Sequence, residues 1–140
     1  MEHDILKPLM AMIFLTMAVW LYMYVLRLTY MIKHRVPPQA LATPEQKYSV
    51  LPAYINYPAY NLSNLFELPV IFYGQCLLVL ILDIQSEMIM ICSWLFVIFR
   101  VIHSLVHCSY NHVKHRFLAY AISSIALWMM SILLLSKIIL

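Results

Sequence analysis

Glycine is almost absent: Gly74 is the only one in 140 residues. That excludes GxxxG packing, in which spaced glycines let two helix backbones meet closely. Charge is nearly as scarce. Asp, Glu, Lys and Arg make up 11% of the chain, where a soluble domain carries about 25%. The net charge of +3 is explained by membrane flanks, so a nucleic-acid partner has no support. The three cysteines, Cys76, Cys92 and Cys108, form no CxxC pair and no disulfide framework, and read as small buried apolar residues. HExxH, a phosphate loop, a Ser-His-Asp pattern and an obvious nucleophile are all missing. Any chemistry here falls to a reactive atom on a bound co-substrate.

What the chain has instead is apolar sequence, 64% of it, gathered in runs over 9–32, 61–82, 88–106 and 117–135. About 20 apolar residues cross a bilayer as a helix, the form that satisfies every backbone polar group internally. The expectation is an all-α integral membrane protein. It is one domain over 1–140, a four-transmembrane-helix bundle with no room for a separate soluble domain.

The head of the chain carries Glu2 and Asp4 with no small-residue cleavage site after them, so no removed signal peptide is expected. Arg27 lies near the far end of the first run, where a long side chain can snorkel to the interface. Lys33, His34 and Arg35 then end that helix. The connection over 33–60 holds Pro37, Pro38, Pro44, Pro52 and Pro58, which prevent one continuous helix. Within it, Thr43-Pro44-Glu45-Gln46 reads as a short helix start, with Thr43 as cap, Pro44 first and Gln46 closing a capping box. Tyr48, Tyr54, Tyr57 and Tyr60 suit a membrane–water interface, so this segment is expected along the headgroup level. Pro69 predicts a kink in the second span. A tight turn is expected over 83–87 and a short basic hairpin over 110–116. Ala119, Ser123 and Ala126 share one face and predict close helix approach there.

Four spans put both termini on one side. Lys33, Arg35, Lys47, Lys114 and Arg116 lie in the loops of the other side, while the termini and the tight turn hold only Lys7 and Lys137. The positive-inside rule therefore predicts cytoplasmic loops at 33–60 and 107–116, with both termini outside.

The polar residues inside the apolar runs are regularly spaced. Asn64 and Glu67 stand three apart; Arg100, His103 and His107 stand at i, i+3 and i+7. Such spacings put side chains on one helix face. Charge at membrane depth is costly and pairs with other charge, so the two stripes are expected to converge in one polar nook toward the cytoplasmic end. Glu67 with Arg100 is either a structural clamp or a pair that holds Asn64 and His103 toward a polar ligand, and the two readings are compatible. No second carboxylate or cysteine joins His103 and His107 at ligand spacing, so no metal is expected. His112 and His115 beside Lys114 read as a solvated basic flank. Arg116 opens the fourth run with Tyr120 one turn further in. It is either a snorkelling anchor or a permanent positive charge beside a dry pocket, suited to an anion such as a thiolate. A transporter has little support, since one polar layer at one end offers no path across and no inverted repeat is visible.

The four-span layout, Asn64-x-x-Glu67-Leu-Pro and Arg100-x-x-His103-Ser104 together resemble the MAPEG proteins, the membrane-associated proteins in eicosanoid and glutathione metabolism, in a divergent bacterial-type form. Arg116 and Tyr120, and Ala42-Thr43-Pro44-Glu45 after the first helix, extend the likeness over nearly the whole chain. The resemblance implies a homotrimer with a pocket between adjacent subunits, open to the cytosol. Family members with known activity bind bent glutathione there and conjugate, reduce or isomerise a lipophilic partner. Carried over, Asn64, Glu67 and His103 would contact glutathione, and Arg35 would approach one of its carboxylates. Arg116 would stabilise the thiolate, Arg100 would sit in the polar layer beside Glu67, and Tyr120 would line the pocket. Partners implied are further copies of the chain, membrane lipid and a lipophilic small molecule. The function implied is a membrane-bound glutathione-dependent transferase or peroxidase for lipophilic electrophiles or lipid hydroperoxides. The alternative is a non-catalytic protein of the same fold that binds another amphipathic ligand.

One departure bears on that choice. Glutathione-using members generally carry arginines just before the Asn-x-x-Glu pair, where this chain has Tyr57, Tyr60 and Ser63. Each lost charge-assisted hydrogen bond is worth about 1.5–3 kcal/mol, a tenfold to roughly hundredfold loss of affinity. Either Lys47 or Lys114 compensates, or glutathione is not the ligand.

Overall fold

A computed structural model describes residues 4–139 of the protein; Glu2, part of the acidic head, lies outside them. Helix α1 (Leu6–His34) stops where Arg35 takes a left-handed conformation, φ 53°. That geometry lets the Val36 N–H reach back to the Met31 carbonyl at 3.0 Å, satisfying a carbonyl that the helix itself leaves free. A 3-10 turn (Pro38–Leu41) and the short helix α2 (Pro44–Val50) follow. The capping box forms as its sequence predicts. The Gln46 N–H donates to Thr43 Oγ1 at 3.3 Å, and the Thr43 N–H donates to Gln46 Oε1 at 3.1 Å.

Helix α3 (Ala53–Leu65) corrects the expected start of the second span at Asn61. Pro52 and Pro58 read as breakers, yet Pro52 is only the cap and Pro58 is buried inside the helix. A proline six residues into a helix removes one backbone bond, and here the buried ring packs instead. The real break comes at Phe66 and Glu67, before helix α4 (Leu68–Ile81). Pro69 is its second residue. With no N–H, and with a ring that crowds the carbonyl four residues back, it forbids the Leu65–Pro69 helical bond. The predicted kink is thus a full interruption, two residues upstream of its cause.

Helix α5 (Glu87–Cys108) is capped by Ser86, whose Oγ accepts from the Ile89 N–H at 3.4 Å. Helix α6 (Val113–Ile139) begins four residues before the predicted Phe117. Four apolar stretches are long enough to cross a membrane: α1, α3 with α4, α5 and α6. The fold is that of an integral multi-pass helical bundle.

Packing is closest between α5 and α6. Ala119, Ser123 and Ala126 are all buried there, as their spacing predicts. Phe72 of α4 stacks on Phe96 of α5 at 4.6 Å between ring centres, and Met12, Leu127 and Met130 close the core around them. A smaller cluster of Leu41, Leu51 and Ile55 packs on Leu26, Tyr30 and Met31, seating the proline-rich connection on the end of α1. Large apolar side chains such as Phe14, Leu105, Phe117 and Ile132 remain more than half exposed. On a chain of this composition that surface is what lipid, or another copy of the chain, covers.

Candidate functional site

The polar residues gather where the C-terminal end of α5 meets the first turns of α6. Arg100 is fully buried, at 0% exposure. Its guanidinium lies 4.7 Å from the Tyr120 ring centre and 5.3 Å from that of Phe96, so two π faces offset part of its desolvation. None of its three nitrogens has a hydrogen-bond partner. One turn on, His103 is buried with its ring 5.9 Å from Tyr120 and 5.4 Å from His107. His103 Nδ1 lies 3.0 Å from the Arg116 carbonyl oxygen. A carbonyl only accepts, so Nδ1 carries a proton and α5 is tied to α6 at Arg116. His103 Nε2 and His107 Nδ1 are buried without partners.

Arg116 is half-buried in the second turn of α6. Its Nη1 donates to Asn111 Oδ1 at 2.7 Å, a charge-assisted bond inside the turn between the two helices. Arg100, His103, Arg116 and Tyr120 are therefore brought together.

The second polar stripe divides. Asn61 is fully buried; its amide donates to Cys108 Sγ at 3.6 Å, and its Oδ1 accepts from Ser104 Oγ at 3.4 Å. That contact sets the register of antiparallel α3 and α5, which puts Asn64 near the level of His103 and Glu67 near that of Arg100. Level is not contact. Asn64 is half-buried and Glu67 is exposed, because Glu67 sits at the break, with ψ −107°, where the helical path is lost. Among the described residues Glu67 and Arg100 form no ion pair within 4.0 Å, although the Glu67 charge reaches Arg100. Among the described residues the ion pair within 4.0 Å is Lys7–Asp4, 2.6 Å long, at the other end of the bundle. There the Lys7 ammonium, hydrogen-bonded to it, holds the Asp4 carboxyl below its usual value. Arg35 is exposed at the end of α1.

One cavity of about 540 Å³ lies at the opposite end, between Asp4, Val79, Asp83 and Glu87. Another of about 320 Å³ lies between α1 and α5, lined by Val19, Tyr22, Ser104 and Cys108. Neither is lined by Asn64, Glu67, Arg100, His103 or Arg116. Among the described residues no three metal-ligating side chains converge. His112 and His115 are exposed, with rings 4.5 Å apart and Tyr110 sharing a 2.9 Å hydrogen bond with His115, a solvated flank as their positions suggest.

Three polar residues escaped the sequence reading. Asn61 carried a usable signal, standing three residues before Asn64. Asn111 carried a weaker one, an asparagine in a very short turn between two spans. Gln75, bonded to Ser131 in mid-span, carried none beyond being polar in an apolar run.

No curated protein and no solved structure matches the chain. The MAPEG family model matches residues 5–136, and the chain belongs to that family.

Proposed function

We propose that this protein is a membrane-bound glutathione-dependent transferase or peroxidase acting on lipophilic electrophiles or lipid hydroperoxides. The observation that supports it most is an excess of fixed positive charge in a desolvated place. Arg100 and Arg116 sit toward one end of α5 and α6, and among the described residues no carboxylate lies within 4.0 Å of either. In low dielectric a guanidinium without a contacting carboxylate favours an anion from outside the chain. Glutathione supplies three: two carboxylates and, on losing a proton, a thiolate.

In this reading Arg116 stabilises the thiolate, and Arg100 with Asn64, Glu67, His103 and Tyr120 orients the peptide. Arg35 meets one of its carboxylates. The thiolate sulfur gives its electron pair to an electrophilic carbon, and the displaced pair leaves with a proton. With a hydroperoxide the sulfur takes the terminal oxygen, the O–O bond breaks and an alcohol departs. A second glutathione thiol then displaces water to give the disulfide. Glu67, exposed but level with Arg100, fits a homotrimer in which one subunit completes the pocket of the next. The loops at 33–60 and 107–116 face the cytosol and both termini face outward, since Lys33, Arg35, Lys47, Lys114 and Arg116 cluster at one end.

The test is thiolate absorbance on adding millimolar glutathione to the purified protein in detergent. The signal is expected with the unaltered chain and lost in Arg116→Ala. Its absence from the unaltered protein sinks the proposal.

A second reading has one observation in its favour. Tyr57, Tyr60 and Ser63 stand where glutathione-using relatives carry arginines, which suits a non-catalytic protein holding another amphipathic ligand. It predicts a melting temperature indifferent to glutathione, because only binding to the native state raises it.

A further inference from the structure

We infer that Asn111 is the positioning residue for the Arg116 guanidinium, and that its being a neutral amide keeps the charge of Arg116 available to an anion. The inference rests on the role proposed for Arg116. The geometry stands independently of that role. Asn111 lies in the turn over 109–112 with φ 50°, a left-handed conformation that asparagine adopts more readily than most residues. Its backbone N–H donates to the Val106 carbonyl at 2.8 Å and so closes the end of α5. With the backbone fixed from behind, its side-chain oxygen meets Arg116 Nη1 at 2.7 Å. Arg116 is thus held at two points. His103 Nδ1–H fixes its carbonyl at 3.0 Å, and Asn111 fixes one edge of its guanidinium.

A guanidinium has five donors in a planar fork, so an acceptor at one Nη leaves the other edge for a ligand. The acceptor's charge decides what that edge is worth. Asp or Glu at position 111 would hold Arg116 equally well but would neutralise it. An amide oxygen accepts the same hydrogen bond and cancels nothing. The charged and titratable groups near Arg116 are otherwise His103 and His107 on α5, with Arg100 deeper, and His112, Lys114 and His115 along its own segment. The carboxylate nearest this group, Glu67, reaches Arg100 with its charge but forms no ion pair with Arg116 within 4.0 Å.

Two substitutions separate the backbone role from the side-chain role. Asn111→Gly keeps the left-handed turn at no steric cost and removes the acceptor. Asn111→Asp keeps turn and acceptor and adds a negative charge. In Asn111→Asp the midpoint for thiolate formation from bound glutathione should rise by about one pH unit, since an added like charge beside an anion shifts its titration by this order. The thiolate present at neutral pH should fall about tenfold, with binding of glutathione, read by its melting shift, largely kept. In Asn111→Gly the thiolate signal should fall severalfold without that displacement of the midpoint.

A second readout needs no glutathione. In the unaltered protein in detergent, the Arg116 guanidinium should give hindered, resolved N–H resonances. Asn111→Gly should lose them and Asn111→Asp should retain them. Hindered resonances without any thiolate signal would refute the proposed function while leaving the clamp intact. Resonances unchanged in Asn111→Gly, or a thiolate midpoint unmoved in Asn111→Asp, would overturn the inference.

Discussion

A guanidinium at 0% exposure with three unpartnered nitrogens is the costliest group in this subunit. Two explanations of its survival make opposite predictions. If Arg100 were a structural clamp, removing it would expose a broken pair and destabilise the fold by about 3–5 kcal/mol. Among the described residues no carboxylate pairs with Arg100 within 4.0 Å. Arg100→Met, similar in length and apolar, should therefore leave the melting temperature unchanged or raise it, as replacement of a buried charge often does by about 1–4 kcal/mol. The same variant should lose the rise in melting temperature caused by glutathione. A large fall in thermal stability would instead make Arg100 structural and favour the non-catalytic reading. Asn61 is the contrasting case. It is just as buried, but its amide is matched to Cys108 and Ser104. Asn61→Ala leaves the Ser104 hydroxyl unpaired, and should cost about 1–3 kcal/mol in thermal unfolding with little effect on glutathione.

At the scale of elements, the helices were legible and their ends only partly so. A run of apolar residues declares a span because hydrocarbon tolerates nothing else, and all four were identified that way. The start of α3 was not, because Tyr54, Asn56, Tyr57 and Pro58 read as interface residues and a breaker. Packing of Ile55 onto Leu51 and Leu41 outweighs that local signal. The lack of a close Glu67–Arg100 ion pair has a related cause. Helical spacing places Glu67 on the face of Asn64 only while the helix continues, and it stops at Phe66. Where the chemistry is local, the sequence sufficed, and the capping box at Thr43 shows it. Glu45's own backbone N–H, and next Thr43, hold the Glu45 carboxyl below its usual value. A carboxyl lowered by folding stabilises above its unfolded value and ceases to do so as pH falls through the folded one. Thr43→Ala should speed hydrogen exchange across 44–50 by about five- to thirtyfold, the equivalent of about 1–2 kcal/mol, while exchange in α5 stays unchanged. Gly74 gives the opposite sign. It is exposed inside α4 and an added Cβ meets nothing within 4 Å, so Gly74→Ala should stabilise by about 0.5–1 kcal/mol.

For the whole molecule, the decisive feature is that the polar layer is part buried and part exposed. Arg100, His103, Arg116 and Tyr120 lie where α5 meets α6, and Glu67 is exposed at the break between α3 and α4, close enough for its charge to reach Arg100. In the homotrimer proposed above, each α5–α6 face would meet the α3–α4 break of a neighbour, and one subunit would complete the site of the next. This arrangement has a consequence that no single-subunit site can imitate. Homotrimers of Glu67→Ala and of Arg116→Ala should each fail to form the glutathione thiolate. Co-expressed in equal amounts, they should recover about a quarter of the unaltered signal, because a site drawing one residue from each of two neighbours is intact in that share of random pairings. If both residues served a site within one subunit, every mixed assembly would carry one defect per site and recover nothing. Zero recovery, with mixed trimers verified by differential tags, would place Glu67 and Arg116 in the same subunit's pocket and remove the case for a shared one.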